Sequence, residues 1–344
     1  MQDTDLNFQN ILVIDLGQLG DVVLSLPALA AVRRRFPDSH ITVLTGKPPE
    51  AVIKLSGLAN ETLSVDRVAL RDGPKLKSIA EILRFVAAFR RRRIDLLIDL
   101  HSLSETNLLA YLSRARYRLL ANRENRSLDR LSNFRPKPPR EDKSKHLVDK
   151  YLDVLKPLGI SDTASDFQLS APPDEMERVR DRYFPDATVK TVGLFPGAGH
   201  PSRRWGLENF GQLSGRLDAD GMRVAVFLGP EEVEMRKKVQ ELFPPNVVVI
   251  DDLRIPGLAA AARFLSAVVT NDTGTMHLCA FAGAPILLLL DARAPKTFLP
   301  LTGKLEVLRA DPVGTIAVDD AYEAATSLMS RFRPLGEMTK ADPA

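Results

Sequence analysis

The sequence lacks the features that would place it in several specialised classes of protein. It has a single cysteine, Cys279, which excludes an internal disulfide and a thiolate metal cluster and is typical of a reducing cytosol. The apolar run at 285–290 is far too short to span a bilayer, and the first residues lack the basic region and long apolar core of a signal peptide. A net charge of +3 is too small to indicate binding of nucleic acid. We therefore expect a cytoplasmic protein with no transmembrane segment and no nucleic-acid partner.

What the sequence does contain is an alternation of strand-like and helix-like segments. With 344 residues, of which 44% are hydrophobic, the chain exceeds what one core usually covers, so two domains are expected. A linker that ends near 171–174 divides them into residues 1–170 and 171–344. Strands that alternate with helices predict parallel sheets with helices on both faces, the α/β class. The predicted strands are 11–14, 41–44, 94–100, 191–195, 223–228, 247–250, 267–270 and 285–290.

A strand followed by a tight turn and a helix occurs once in each half of the chain. In the first half, strand 11–14 leads into Gly17-Gln18-Leu19-Gly20-Asp21, where two glycines permit close approach of a ligand to the backbone. In the second half, Asn271-Asp272-Thr273-Gly274-Thr275 puts hydroxyl groups and free amides at a helix start, which is typical of a phosphate site. Alternatively, each aspartate serves only as a helix N-cap. Two such turns suggest two sheets facing one another across a cleft that holds a phosphorylated donor and a second substrate.

Further candidates for ligand contact lie in the second half, each with a structural alternative. Pro196-Gly197-Ala198-Gly199 follows a strand and offers backbone amides, and Arg203 and Arg204 can form bidentate bonds to a diphosphate. His277 either reaches a phosphate or a ribose or is a buried structural side chain. Trp205 is expected to pack beneath the loop. The first turn lacks the third glycine of the dinucleotide fingerprint, which argues against a nicotinamide site.

Patterns that bind metal ions are weak in this sequence. Asp218-Ala219-Asp220 falls at a predicted helix end, and Asp251-Asp252 has no histidine or glutamate at ligand spacing. We therefore expect neither a metal ion nor a cofactor. The stretch 114–145 is locally cationic, and it is either a solvated face or a site for a polyanion or an anionic membrane surface. Its proline-rich part, 133–145, is predicted to be a long exposed loop.

Four groups of residues occur in an order and spacing that make a specific pattern. They are Gly20-Asp21-Val22-Val23-Leu24 with Pro27-Ala28-Leu29, Asp95-Leu96-Leu97-Ile98-Asp99-Leu100-His101, Pro196-Gly197-Ala198 with Ser202-Arg203-Arg204-Trp205, and Asn271-Asp272-Thr273-Gly274-Thr275-Met276-His277-Leu278. Taken together, they resemble glycosyltransferase family 9, the ADP-heptose:lipopolysaccharide heptosyltransferase family. The resemblance extends over residues 10–290, which is most of the chain.

This resemblance implies the GT-B architecture, in which two Rossmann-like doubly wound domains bind the acceptor and the nucleotide sugar respectively. It implies transfer with inversion and without a metal ion, with Asp21 as the general base and with cations and amides at the departing diphosphate. The implied donor-binding residues are Gly197, Arg203, Arg204, Glu231, Glu232, Asp272, Thr273, Gly274, Thr275, Met276 and His277. The candidate acceptor-binding residues are Gly17, Gly20, His101, Arg126, Arg130, Arg135 and Lys137.

The sequence departs from the family pattern at three places. Arg203 stands where lysine is common, a basic residue is usual near Asp15, and Asp291-Ala292-Arg293-Ala294-Pro295 replaces a glycine-proline-threonine turn. We expect a monomer, peripheral to the inner membrane, that moves heptose or a related sugar from ADP to a phosphorylated lipid saccharide of the lipopolysaccharide inner core. The alternatives are a different donor or surface glycan, or a non-catalytic protein that binds nucleotide sugar.

Overall fold

Buried aliphatic segments form the strands of two sheets, one in each half of the chain. The computed structural model describes residues 6–66, 75–124, 128–161, 167–186 and 188–332. The chain divides into two compact units, Met1–Phe167 and Gln168–Ala344. All the strand pairs described are parallel, and strands such as 267–271 are buried along their whole length, as expected where helices cover both faces of a sheet.

The first unit contains a five-stranded sheet with the order β3-β2-β1-β4-β5. Its strands are β1 (Asn10–Asp15), β2 (His40–Gly46), β3 (Glu61–Val65), β4 (Leu96–Asp99) and β5 (Tyr117–Leu120). Its helices are α1 (Leu19–Arg35), α2 (Lys47–Ser56), α3 (Lys75–Arg92), α4 (Ser104–Leu112) and α5 (Leu147–Leu155). The strand order reverses between β1 and β4, and ligands of such sheets bind where the strand order reverses.

The second unit contains a six-stranded sheet with the order β11-β10-β9-β6-β7-β8. Its strands are β6 (Thr191–Phe195), β7 (Arg223–Phe227), β8 (Val248–Ile250), β9 (Ala267–Asn271), β10 (Ile286–Asp291) and β11 (Leu305–Ala310). Its helices are α6 (Pro173–Tyr183), α7 (Leu207–Ala219), α8 (Met235–Leu242), α9 (Ile255–Ala262), α10 (Gly274–Phe281) and α11 (Val318–Arg331). Here the strand order reverses between β6 and β9, so the loops that follow these two strands flank the switch point.

Several local expectations from the sequence need correction. Helix α1 begins at Leu19, so Asp21 is its third residue and not its N-cap, and Pro27 lies inside one continuous helix. The segment 133–145 is not wholly exposed, because Phe134 is buried. The sequence predicts a helix that begins with Glu231-Glu232 after Gly229-Pro230, but these residues belong to a short 3-10 turn, and α8 starts only at Met235. Among the described helices, none is both long and apolar enough to cross a bilayer.

Candidate active site

The turn between β1 and α1 places Asp21 at the switch point of the first sheet. The Gly17 amide donates a hydrogen bond to Oδ1 of Asp15 (3.0 Å), which folds the chain sharply at the end of β1. The Gln18 amide donates to Oδ2 of Asp21 (2.9 Å), so that carboxylate satisfies an otherwise unpaired amide in the first helical turn. Asp21 is only half-buried. Its carboxylate is thus held in place while part of it stays open to a ligand.

Gly17 is required because two side chains crowd against its backbone. A Cβ atom at this position would lie 2.5 Å from Cβ of Asp21 and 2.8 Å from Cε1 of His101. Both distances are far below van der Waals contact, so any other residue would displace one of the two neighbours. The turn therefore brings together two residues that the sequence analysis assigned to catalysis and acceptor binding.

A buried ion pair lies directly beneath this turn. Nδ1 of His101 is 3.0 Å from Oδ1 of Asp15, and the Tyr151 hydroxyl is 3.4 Å from the same nitrogen. Burial opposes a charged imidazole, yet the hydrogen bond and charge of Asp15 outweigh it and raise the pKa of His101. Burial likewise opposes ionisation of Asp15, but His101 and the Ser25 hydroxyl lower the pKa of that carboxyl. The pair therefore favours an imidazolium beside Asp21.

Asp99, at the end of β4, fixes the loop that carries His101. Its Oδ1 accepts hydrogen bonds from the amides of His101 (3.2 Å) and Ser102 (2.7 Å). The loop turns sharply at Ser102, whose φ is +49°. Burial raises the pKa of Asp99 to about 6, although hydrogen bonds from Thr106 and Ser102 partly offset this effect. Two buried carboxylates thus end the neighbouring strands β1 and β4.

The basic residues predicted to bind the acceptor lie at the surface of the first unit. Arg130, Arg135 and Lys137 are exposed, and the Arg135 guanidinium donates to the carbonyls of Ser132 and Phe134. Arg126 lies outside the described residues. A better-placed cation is Arg123, which is 3.5 Å from Glu141 and whose charge acts on His101. The sequence showed Arg123 only as one arginine in a basic stretch.

In the second unit, the loop after β6 packs against the loop after β7. Gly197 lies so close to the Glu232 carboxylate that a Cβ atom there would overlap it. Oε2 of the same carboxylate accepts a hydrogen bond from the Gly229 amide (2.7 Å). Glu232 therefore ties the two loops together, while Glu231 is exposed.

Helix α10 presents its N-terminus at the end of β9. Thr273 is the N-cap, and its hydroxyl accepts a hydrogen bond from the Thr275 amide (3.1 Å). Residues 272–275 are half-buried, whereas the side chains of Met276 and His277 are buried. The start of α10 can thus offer backbone amides and threonine hydroxyls to an anion, which the helix dipole also favours. The His277 side chain lies in the core rather than at this surface.

Arg203 and Asp272 join the two loops that flank the switch point of the second sheet. Their Nη1 and Oδ2 atoms are 3.2 Å apart, and the Arg203 side chain is 57% exposed. Burial raises the pKa of Asp272, and the Arg203 charge only partly offsets this. Nη2 and Nε of Arg204, by contrast, donate to the Ala198 carbonyl and hold the loop closed. Arg203 is therefore the cation presented at this surface.

Asn271 and Trp205 anchor the loop that carries Arg203. The side-chain amide of Asn271 accepts from the Trp205 amide (3.0 Å) and donates to the Pro196 carbonyl (2.8 Å). Trp205 is buried, as predicted, and its indole N–H donates to the Ile316 carbonyl (2.9 Å). Sequence reasoning placed Asn271 in a motif but missed its structural role. Within the described ranges, no three His, Cys, Asp or Glu side chains are grouped as metal ligands.

The comparison with protein families shows to which family this chain belongs. The model of glycosyltransferase family 9 (heptosyltransferase) matches residues 82–318, which is more than half of the chain. The chain belongs to glycosyltransferase family 9. The resemblance inferred from the sequence is thereby confirmed, and the protein is a glycosyltransferase.

Individual members of family 9 are similar over most of their length. Lipopolysaccharide heptosyltransferase 3 of Escherichia coli is 23% identical over 281 residues, covering 79% of this chain and 81% of the relative. The family 9 structure from Veillonella parvula has a TM-score of 0.82 at 23% identity and covers 96% and 99% of the two chains. E. coli heptosyltransferase WaaC with ADP-2-deoxy-2-fluoro heptose has a TM-score of 0.76 at 20% identity, with 93% and 99% covered. These structures confirm the predicted GT-B class with two parallel-sheet α/β domains.

Proposed function

We propose that this family 9 glycosyltransferase transfers heptose, or a related sugar, from an ADP-linked donor to a phosphorylated lipid saccharide of the lipopolysaccharide inner core. The proposal rests on the family and on relatives that are named lipopolysaccharide heptosyltransferases. A solved neighbour, named as a heptosyltransferase, holds an ADP-linked heptose analogue. We further propose that the protein acts as a monomer, without cofactor or metal ion, at the cytoplasmic face of the inner membrane.

Asp21 is proposed as the general base. Its carboxylate is oriented by the Gln18 amide and remains half-exposed, so it can accept the proton of an acceptor hydroxyl while positive charge develops on the donor sugar. His101 lies beside Gly17, and the hydrogen bond and charge of Asp15 raise the pKa of its imidazole. In its protonated form His101 would attract an anionic group of the acceptor.

Arg203 and the start of α10 are proposed to stabilise the departing diphosphate. A guanidinium can bond two phosphate oxygens at once, and the backbone amides of Gly274 and Met276 at the start of α10 offer further donors. In this scheme Asp272 holds Arg203 in place before the donor binds. Gly197 allows the loop after β6 to pack on Glu232, which leaves the exposed Glu231 to contact the nucleoside. The observation that carries the proposal is the Arg203–Asp272 pair at the N-terminus of α10, because it supplies a cation to the anion site of the helix.

Transfer can be tested directly with ADP-heptose and a lipid A–Kdo acceptor. We expect product from the parent protein and a rate about 10²–10⁴-fold lower for Asp21→Asn, which keeps an acceptor for the Gln18 amide but cannot take a proton. Asp38→Asn, at an exposed position, is the matched control. Equal rates for the parent and Asp21→Asn would remove Asp21 from the chemistry.

The nucleotide can be tested independently of turnover. A ligand present at 100 times its dissociation constant adds about 2.7 kcal/mol to stability, so thermal shifts with ADP, UDP and GDP should single out one base. We expect the largest shift with ADP. Donor binding by a parent protein that makes no product would favour the alternative of a non-catalytic nucleotide-sugar binder.

A further inference from the structure

Helices α3 and α4 lie side by side on one face of the first sheet. Connections between parallel strands are right-handed, and the crossovers from β3 to β4 and from β4 to β5 run in the same direction across the sheet. Phe85 and Phe89 of α3 and Ala110 of α4 accordingly share one core cluster with strands β1 and β4. Nε of Arg90 donates to the Leu112 carbonyl (2.9 Å) and ties the C-terminal ends of the two helices together. The two helices therefore have a common outer surface.

This outer surface carries large apolar side chains that the fold leaves exposed. Leu83 on α3 and Leu108 and Tyr111 on α4 are 60%, 47% and 53% exposed. Together with Ile82 they account for half of the large hydrophobic residues exposed in the described part of the chain. We call Leu83, Leu108 and Tyr111, together with Arg90, Arg91 and Arg114, the α3–α4 face.

Arginines lie on α3 and on the segment that follows α4. Arg90, Arg91 and Arg114 are exposed, and within the described residues neither Arg91 nor Arg114 pairs with a carboxylate. The guanidinium of Arg118 lies 5.7 Å from the centre of the Tyr111 ring. Of the carboxylates on these helices, Glu81 is bonded to Arg84, which leaves Glu105 as an exposed negative group. The α3–α4 face therefore combines exposed apolar side chains with an excess of cations.

We propose that the α3–α4 face docks this protein on an anionic lipid bilayer. Its apolar groups stand on helix surfaces, from which they can insert between lipid headgroups, and its arginines are complementary in charge to an anionic bilayer. Each basic residue near an anionic membrane strengthens binding about five-fold, and long arginine side chains can reach the headgroups while their stems stay apolar. The inference concerns membrane attachment alone and does not depend on which sugar is transferred.

Co-sedimentation of the full chain with vesicles tests this proposal. We expect binding to phosphatidylcholine vesicles that contain about 30% phosphatidylglycerol, weak binding to pure phosphatidylcholine, and loss of binding as salt rises. Leu83→Ser with Leu108→Ser should weaken binding about ten-fold or more. Arg91→Gln with Arg114→Asn should weaken it about 30-fold at low salt, since each charge contributes about five-fold. Asparagine suits position 114 because its φ is +61°.

The matched control places the same kinds of change on the second unit. Leu242→Ser with Lys238→Gln alters one exposed leucine and one exposed cation on α8 and should leave vesicle binding unchanged. Thermal melts of all variants verify folding, and transfer to a water-soluble acceptor separates failure of docking from failure of the proposed chemistry. Equal binding to both vesicle types, or equal losses in the control, would overturn the proposal. So would a parent protein that ignores vesicles but forms a dimer broken by Leu83→Ser with Leu108→Ser.

Discussion

The buried Asp15–His101 pair makes a sharp prediction about pH and stability. Asp15→Asn keeps the size of the side chain but removes the charge that holds the imidazolium. The Asp15 side chain is 2% exposed and that of His101 is 16% exposed, so solvent cannot replace the lost partner. Removing one member of a buried ion pair typically costs about 3–5 kcal/mol. We expect the lower end of this range because the histidine can lose its proton.

The cost must depend on pH in a defined direction. The folded pKa of Asp15 lies below its ordinary value of 3.8, so its contribution is present above that pH and is lost as pH falls through the folded pKa. The folded pKa of His101 lies above its ordinary value of 6.5, so its contribution is complete below pH 6.5 and is lost as pH rises through the folded pKa. The pair therefore stabilises the fold most between these two ordinary values. Asp15→Asn should cost about 3 kcal/mol at pH 5.5 and about 1 kcal/mol at pH 9.

Urea denaturation at the two pH values measures this difference. Far-UV circular dichroism follows both units, whereas the fluorescence of Trp205, the single tryptophan, reports on the second unit, to which Asp15 does not belong. Asp38→Asn is the control for a surface carboxylate. A free-energy cost for Asp15→Asn that is equal at both pH values, or larger at pH 9, would refute the assignment of His101 as a cation.

Three further changes test other parts of the two sites. Asp99→Asn should show the opposite pH dependence, with stability gained above pH 6. Burial raises the pKa of this carboxyl to about 6, so its ionised form is unfavourable in the fold, and urea titrations at pH 5 and pH 8 check the sign. Gly17→Ala should lower the transfer rate about 10²-fold and leave nucleotide binding unchanged, since the new methyl group must displace Asp21, the proposed base. Rate and thermal-shift measurements separate the two effects. Arg203→Ala should lower kcat about 10²-fold, whereas Arg203→Lys should retain part of the parent activity. Equal values of kcat for the alanine and lysine variants in steady-state kinetics would contradict the role of Arg203 at the leaving group.

The α/β class and most strands follow from the sequence because buried parallel strands are continuous aliphatic runs. Strand β1 and strand β9 are of this kind, and both were predicted within one residue. Three edge strands were missed: β3, whose residues are mostly half-buried, β5, of which half the residues are half-buried, and β11, which is half-buried throughout. Edge strands pack on one side only, and their mixed composition gives no clear period.

The sequence predicts those parts of the candidate site in which a glycine and a helix start follow a strand. It does not predict the parts that depend on contacts between residues far apart in the sequence. Asp21, the turn at 271–275 and the loop at 196–199 all occupy the carboxyl ends of predicted strands. The role of Asp15 could not be predicted, because its partner His101 lies 86 residues away and becomes a neighbour only when β4 pairs with β1. The ties of Asn271 to the loop after β6 depend in the same way on the pairing of β6 with β9.

The Asp15–His101 pair also accounts for one departure from the family pattern. The resemblance places a basic residue near position 15, whereas this chain has a carboxylate there. That carboxylate does not leave the turn negative, because it is buried and bonded to His101 and thereby raises the pKa of the imidazole. The imidazole with the raised pKa thus stands on the loop after β4 and not on β1, and it lies against Gly17 beside Asp21. If Asp21 is the base, as proposed, the cation next to it in this chain is one that raising the pH removes, since a histidine loses its proton far below the pH at which lysine or arginine does.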